Sequence, residues 1–344
     1  MAPASGGPAP VGVAVVGLGF MGTRWVRALA DHDGARVVAV CDVDGERARK
    51  VADTCGARWA TGLEALADPR VDAVVVCTPD HLHRDAALEA IRAGLPVAVE
   101  KPFAHDIATA AEIRDAAAAA GVPVLAGHLL RFEPRYAAAQ AAVADGQIGR
   151  VLAIRSERIG LLGDQKVLGG RVSVPLYYGT HEMDIARWFA GDIAEVDAVS
   201  SGGVLRSQGF DVDDLYSVRL SFASGAHGTS MLGWVLPDAS LGAGLTGLSV
   251  IGEHGYLTIV QGGTGLSVHG AAGPVPVDSW YAPTMHGRTS GAIGYQARHL
   301  VEVARGEREP LCSAADGTEA VRAALAIERS AQRGTRIRLE ETAP

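Results

Sequence analysis

The segment Val13-Ala14-Val15-Val16-Gly17-Leu18-Gly19-Phe20-Met21-Gly22 confines the start of the chain to a narrow set of folds. An apolar run ends in Gly-x-Gly-x-x-Gly, and a helix-patterned stretch follows with Met21, Trp25 and Leu29 at i, i+4 and i+8. In a strand–turn–helix unit Gly17 permits the tight turn, Gly19 lets a pyrophosphate approach the backbone, and Gly22 lets helix and strand pack closely. The helix N-terminus, with Phe20 and Met21 in its first turn, then faces the phosphates. A second apolar run ends at Asp42, twenty residues beyond Gly22, where a carboxylate can accept hydrogen bonds from the adenosine ribose hydroxyls. These features together predict a dinucleotide site. A 2′-phosphate beside Asp42 would meet like-charge repulsion, and Val43 follows it where an arginine would welcome that phosphate, so NAD is expected over NADP.

At 344 residues the chain has room for two domains, each able to bury a core. The first 128 residues alternate short apolar runs with helix-patterned segments, the mark of βαβ units on a parallel sheet. The expected strands are Val11 to Val16, Val37 to Cys41, Val71 to Cys77, Val97 to Val99 and Val124 to Ala126, with Gly94 and Gly121 stopping helices. After Gly127 the texture changes. Arg135 to Val143 reads as a linking helix, and strand-like runs then follow at Arg150–Glu157, Glu195–Ser200, Leu215–Phe222, His227–Trp234, Leu248–Ile251, Tyr256–Val260 and Leu266–His269. These look like an antiparallel sheet, interrupted by one helix near His181–Phe189 and followed by helices near Ile293–Ala304 and Thr318–Gln332. The Gly-rich stretch Leu241–Gly247 is too short to link domains.

The fold class expected is α/β: a Rossmann doubly wound parallel sheet, then an α+β domain with a large, mostly antiparallel open sheet. The boundaries are a disordered lead at Met1–Pro10, a nucleotide-binding domain at 11–128 and a substrate-binding and oligomerisation domain at 129–344. An antiparallel sheet with one face over the site and the other free suggests pairing of the free faces in a homodimer or homotetramer.

Composition excludes several classes. No apolar run reaches the roughly 18 residues a bilayer span needs, so no membrane partner is expected. The formal net charge of −8, without a basic stretch, argues against nucleic acid, which needs clustered Lys and Arg. The lead lacks a basic and an apolar region of signal-peptide type, which points to the cytoplasm. Cys41, Cys55, Cys77 and Cys312 show no Cys-x-x-Cys pair or framework spacing, and free buried thiols are expected. Cys77-Thr78-Pro79-Asp80-His81-Leu82-His83 holds one Cys and two His, but a single loop does not supply a tetrahedral set and no second cluster completes it. No metal is expected; Thr78, Pro79 and His83 are read as residues beside the cofactor.

Two further segments carry the chemistry: Glu100-Lys101-Pro102 at a strand end on the same sheet edge as the glycine turn, and Tyr177-Tyr178-Gly179-Thr180-His181-Glu182-Met183-Asp184 opening a helix. With the N-terminal fingerprint and Gly127-His128-Leu129-Leu130-Arg131-Phe132-Glu133-Pro134, they resemble the glucose-fructose oxidoreductase, inositol dehydrogenase and rhizopine-catabolism (Gfo/Idh/MocA) family over nearly the whole chain. The resemblance implies that Lys101 lies between nicotinamide and substrate, with Glu100 beside the cofactor, and that His181 accepts the proton during alcohol oxidation. Both roles are chemically sound: a histidine titrating near 6.5 can take a hydroxyl proton, and a lysine can stabilise charge developing on the same oxygen.

Many members of that family carry an aspartate four residues before this histidine, where this chain has Tyr177. A tyrosine hydroxyl carries no comparable charge at pH 7, which puts the inositol-dehydrogenase subgroup and a carboxylate-assisted histidine in question. Tyr177 and Tyr178 either bind a sugar hydroxyl or pack under the sheet. His128 and Arg131 either meet substrate or lock the domain junction. Asp184 either orients His181 or pairs with Arg187, the structural role coming first, and Asp211, Asp213 and Asp214 read equally well as a polar turn. The activity implied is an NAD-dependent dehydrogenase acting on a ring secondary alcohol of a sugar, cyclitol or glycoside. Two other classes share these features: an NAD-dependent glycosidase working by transient oxidation and elimination, and a non-catalytic NAD-sensing regulator.

Overall fold

The structure is a computed structural model describing residues 8–163, 168, 170–238, 244–260, 267–270, 273–276 and 278–342. The first seven residues of the lead Met1–Pro10, the beginning of Leu241–Gly247 and Leu266 lie outside the described residues. The chain folds as two units. The first comprises Met1–Ala104, Ala111–Leu129 and Tyr281–Ala315; the second comprises His105–Ala110, Leu130–Trp280 and Asp316–Pro344.

The first unit is built on strands β1 (Val11–Val16), β2 (Ala35–Cys41), β3 (Arg58–Ala60), β4 (Ala73–Val76), β5 (Val97–Glu100) and β6 (Val124–Gly127). They form one parallel sheet in the order β3-β2-β1-β4-β5-β6. Helices α1 (Phe20–Ala30), α2 (Gly45–Cys55), α3 (His83–Arg92) and α4 (Ile107–Ala120) supply the crossovers. All residues of β1, β4, β5 and β6 are buried, as parallel strands covered on both faces require. The short edge strand β3 went unforeseen because Arg58 and Trp59 face solvent, leaving no apolar run to mark it.

The segment Tyr281–Ala315 falls with this first unit, where sequence reasoning drew a single boundary after residue 128. Its helix α8 (Gly291–Ala304) packs on α1 and β4, burying Ile293, Ala297 and Leu300 completely. Arg305 donates to the Gly34 carbonyl at 3.2 Å, and the Thr289 N–H donates to Asp31 at 2.7 Å. The short strands β15 (Thr284–Met285) and β16 (Arg288–Thr289) pair with each other.

The second unit carries β7 (Val151–Leu161), β8 (Ile193–Ser201), β9 (Leu215–Phe222), β10 (His227–Leu236), β11 (Leu245–Gly252), β12 (Tyr256–Val260) and β17 (Ile337–Arg338) in one seven-stranded sheet. The order is β12-β11-β7-β10-β9-β8-β17. The sheet is mostly antiparallel, as expected, with one exception: β7 and β10 pair parallel. One correction concerns Leu266–His269. Among the described residues the strand there, β13 (Ser267–Gly270), pairs with β14 (Gly273–Pro276) in a separate two-stranded sheet.

Helices α5 (Pro134–Ala144), α6 (Thr180–Ala190) and α9 (Ala314–Arg333) accompany this sheet, with a single helical turn, α7 (Val204–Ser207), before β9. The core between them includes Tyr136, Met183, Leu205, Leu220, Trp234 and Ile327. On the inner face, register sets Ser156 opposite Ser230 and Gly160 opposite Trp234. The two serine hydroxyls satisfy each other at 2.9 Å, which removes the cost of burying them.

Candidate active site

On the first unit the glycine turn leaves β1 at the carboxyl edge of the parallel sheet, where doubly wound folds bind ligands. Gly17 has φ +87°, and a Cβ there would strike the backbone of Cys77 and Thr78. At Gly22 a Cβ would run into the Gly17 carbonyl, so helix and turn meet backbone to backbone. Gly19 faces open space and offers α1 no side-chain cap, which is the cradle that a pyrophosphate fills. Phe20 stands exposed at the mouth, with the Arg24 guanidinium 3.4 Å over its ring, and Met21 receives the Tyr281 hydroxyl at its sulfur, 2.7 Å away.

Asp42 follows β2 and is buried. Its Oδ2 accepts the Leu18 N–H at 2.8 Å and its Oδ1 the Asp44 N–H at 3.0 Å, with Arg47 3.3 Å from Oδ2. The carboxylate is thereby held against the glycine turn. An open cradle with a fixed carboxylate beside it fits a dinucleotide, and these residues would hold its pyrophosphate and adenosine ribose.

Thr78 and Pro79 leave β4 on the same edge. His83 lies inside, its Nε2 2.8 Å from the Thr78 carbonyl and its Nδ1 3.4 Å from that of Phe103. Burial pushes this imidazole down to about 4, so it is neutral at pH 7 and donates from Nε2. It acts as a strut between the loop after β4 and the segment after β5.

Glu100 ends β5 and is buried. Its Oε1 accepts the Trp25 indole N–H at 2.9 Å, and its Oε2 accepts the Lys101 backbone N–H at 3.1 Å. Burial pushes the Glu100 carboxyl up, while the indole and the Lys101 charge pull it down. Burial, and then the Glu100 charge, push the Cys77 thiol up. Lys101 itself is half-buried, next to the cis peptide bond it makes with Pro102. The N–H of His128, just past β6, donates to the Ala126 carbonyl at 2.8 Å.

The second unit carries the histidine. Pro175–Gly179 forms one turn of π-helix and runs straight into α6, whose first turn holds His181; such wide turns recur at functional sites. Tyr177 and Tyr178 come from the π-turn, and their rings lie 5.3 and 5.4 Å from that of Trp234. A Cβ at Gly160 would overlap the Tyr178 ring, so this ring rests directly on the backbone of β7. Both tyrosines therefore pack on the sheet while remaining partly exposed.

Buried ion pairs hold α6 on two sides. Arg131 donates to Asp184 from Nε at 3.1 Å and from Nη2 at 2.7 Å, and Arg158 donates from Nε to Glu182 at 2.7 Å. Two residues expected near substrate, Arg131 and Asp184, thus meet each other, and Arg187 turns instead to Asp192 and Asp316. Asp214 accepts the N–H groups of Val204 and Leu205 at 2.7 and 2.6 Å, and Asp213 pairs with Arg206 at 2.7 Å. Asp213 and Asp214 are thus tied into the polar turn before β9.

Sequence reasoning did not foresee the Trp25–Glu100 bond or the Arg158–Glu182 pair. Each leaves a trace. A tryptophan on the buried face of a helix needs an acceptor for its N–H. Arg158 sits in the same strand phase as Ile154, Ser156 and Gly160, a charge in an inward-facing row.

The NAD-binding Rossmann-fold oxidoreductase model of the GFO/IDH/MocA family matches residues 11–128, and that family's C-terminal domain matches residues 136–258. The 2,7-anhydro-N-acetylneuraminate hydratase of Mediterraneibacter gnavus is 31% identical over 65% of this chain and 61% of its own length. This chain therefore matches less than two thirds of that relative. Inositol 2-dehydrogenase 1 of Saccharopolyspora erythraea is 31% identical over 96% of both chains. Among solved structures, GenD2 from gentamicin A biosynthesis, in complex with NAD, superposes with a TM-score of 0.80 at 27% identity, over 98% of this chain and 99% of its own. A glycine turn that fits a dinucleotide, a buried carboxylate beside it and matches in both halves lead to one conclusion: the chain belongs to the GFO/IDH/MocA family of NAD-binding oxidoreductases.

Proposed function

We propose that the protein is an NAD-dependent dehydrogenase that oxidises a ring secondary alcohol of a cyclitol, sugar or glycoside. The observation that carries this reading is Lys101 at the carboxyl end of β5, on the sheet edge that also bears the Gly17–Gly22 cradle. NAD, when bound, supplies the hydride acceptor. Lys101 donates a hydrogen bond to the hydroxyl oxygen and stabilises the charge that develops there, while His181 takes the hydroxyl proton. Tyr177 and Tyr178 offer ring faces to sugar C–H groups and hydroxyls to sugar oxygens. The inositol 2-dehydrogenase relative supports a cyclitol or sugar, and the setting is that of a cytoplasmic enzyme of soluble polyols.

The hydratase relative favours a second reading, in which transient oxidation promotes elimination and the ring is then reduced again without net consumption of NAD. One experiment separates the two. The protein is incubated with NAD and a panel of inositols, monosaccharides and aryl glycosides, and NADH absorbance and aglycone release are followed together, in wild type, Lys101→Ala and His181→Ala. NADH formation that both substitutions abolish supports the dehydrogenase. Aglycone release without NADH moves the protein to the elimination class, and NAD binding without turnover makes it a sensor.

The outer face of the seven-stranded sheet supports a homodimer or homotetramer. Register aligns Val260, Gly247, Glu157, Met231, Ser217 and Val199 in one row across it. Val199, Met231 and Val260 are exposed, three apolar side chains set among Glu157 and Ser217 in a row that two identical faces could share.

A further inference from the structure

Glu100 is a carboxylate placed where a charge is costly, 5% exposed at the end of a central strand. Each of its oxygens receives an N–H, one from the Trp25 indole and one from the backbone of Lys101, which fixes the carboxylate at the root of that side chain. An indole nitrogen can only donate, so these two bonds favour the ionised acceptor and oppose the burial that pushes its carboxyl up. Trp25 is 1% exposed on α1, the helix whose first turn forms the phosphate cradle. A continuous chain of contacts therefore runs from helix α1 through the indole and carboxylate to the Lys101 backbone. Cys77 also feels this charge, and burial holds it as the neutral thiol.

The choice of residue at 101 carries information. The chain has three lysines, Lys50, Lys101 and Lys166, among 31 Lys and Arg residues, so arginine is its ordinary cation. A lysine is a compact point charge with three donors, but unlike arginine it readily loses its proton when withdrawn from water. A lysine meant to stay charged in a closed site needs a fixed anion next to it.

We propose that Glu100 is a positioning residue that keeps Lys101 protonated as the donor to the substrate oxygen, with Trp25 fixing the carboxylate from the nucleotide-binding helix. This rests on the reading of Lys101 as the group at that oxygen. It assigns Lys101 as a permanent cation through turnover and leaves proton acceptance to His181.

The test reads the lysine directly, in cofactor-free protein. Reductive methylation with ¹³C-formaldehyde gives three lysine ε-signals, and Lys101→Arg assigns the one from Lys101. Each is titrated between about pH 6 and 11, a range that brackets a lysine's ordinary value. Relative to wild type, the Lys101 midpoint moves to lower pH in Glu100→Gln, moves less in Trp25→Phe and stays close to wild type in Glu100→Asp. Lys50 does not move in any of them. In parallel, Glu100→Gln and Trp25→Phe lower kcat by roughly tenfold or more, with NADH affinity within a factor of about two as read by fluorescence. A Lys101 midpoint unchanged in both variants overturns the proposal, even if kcat falls. If Glu100→Gln does not fold, Trp25→Phe decides alone by the same criterion. Full activity in Lys101→Ala would instead defeat the catalytic reading, while the titration still judges the Glu100–Lys101 link.

Discussion

Arg158 on β7 and Glu182 on α6 meet through a 2.7 Å bond, and neither side chain reaches solvent to any useful extent. Glu182 is the immediate neighbour of His181, so this pair ties the histidine's helical turn to the sheet. A buried pair broken on one side leaves an uncompensated charge, which typically costs about 3–5 kcal/mol, whereas replacing both partners by apolar groups is often neutral. Arg158→Met and Glu182→Leu should each destabilise the second unit by about that amount, and the double variant should recover much of it. Urea unfolding of the three variants decides this; a double variant costing the sum of the singles would show that the pair does not act as a unit.

Gly160→Ala should act on substrate handling as well as on stability. The added methyl must displace the Tyr178 ring from β7, and overpacking of this kind costs about 1–3 kcal/mol. The expected outcome is a raised KM with unchanged NADH affinity, since the cofactor cradle lies on the other unit. An unaltered KM would mean that Tyr178 packs there without touching substrate.

His83 gives the protein an acid-sensitive term. The imidazole is pushed down to about 4 in the fold, against about 6.5 in an unfolded chain. Between those values the unfolded chain holds the proton and the fold does not, so stability is full above the window and falls as pH drops through it. The loss reaches up to about 3 kcal/mol by the lower end. Chemical denaturation from neutral pH downwards should show a steeper loss in wild type than in His83→Asn, and equal slopes would remove His83 from the account.

Asp42→Ser should move cofactor preference towards NADP. The carboxylate that would repel a 2′-phosphate goes, and Arg47, now 3.3 Å from it, is left with Asp44 beside the ribose position. The ratio of NADH to NADPH dissociation constants should change by roughly tenfold or more, equivalent to about 1.4 kcal/mol. An unchanged ratio would mean that discrimination lies elsewhere in the cradle.

Met231→Lys would set a charge in the middle of the outer row of the large sheet. Light scattering coupled to gel filtration should show the assembly reduced to monomers, with unfolding of the monomer little affected because Met231 already faces solvent. Retention of the wild-type mass would exclude this face as the contact.

The nucleotide half of the fold was legible because each of its signals is local: an apolar run, a glycine turn, an acid at a set distance. Its edge strand at Arg58–Ala60 was not, since an edge has one neighbour and no need of apolar residues on both faces. The second sheet's strands were visible by alternation, but alternation is blind to direction, and the parallel β7–β10 seam followed only from the path of the chain. Among site residues, Gly17, Gly22 and Asp42 carry their geometry in their spacing. Asp184 and Arg131 do not: 53 positions separate the partners of that buried pair, and a sequence read locally offers each a nearer, wrong companion.

The return of Tyr281–Ala315 to the first unit has a consequence for synthesis. A ribosome that has emitted the whole parallel sheet has still not made α8, which covers α1 and completes the packing around Ile293 and Leu300. The nucleotide-binding unit can close only after almost the entire polypeptide has emerged. Neither half is then a portable module: a cut after residue 128 would strand an uncovered helix face. Exchanging halves between relatives at that point would part the helix from the face it covers.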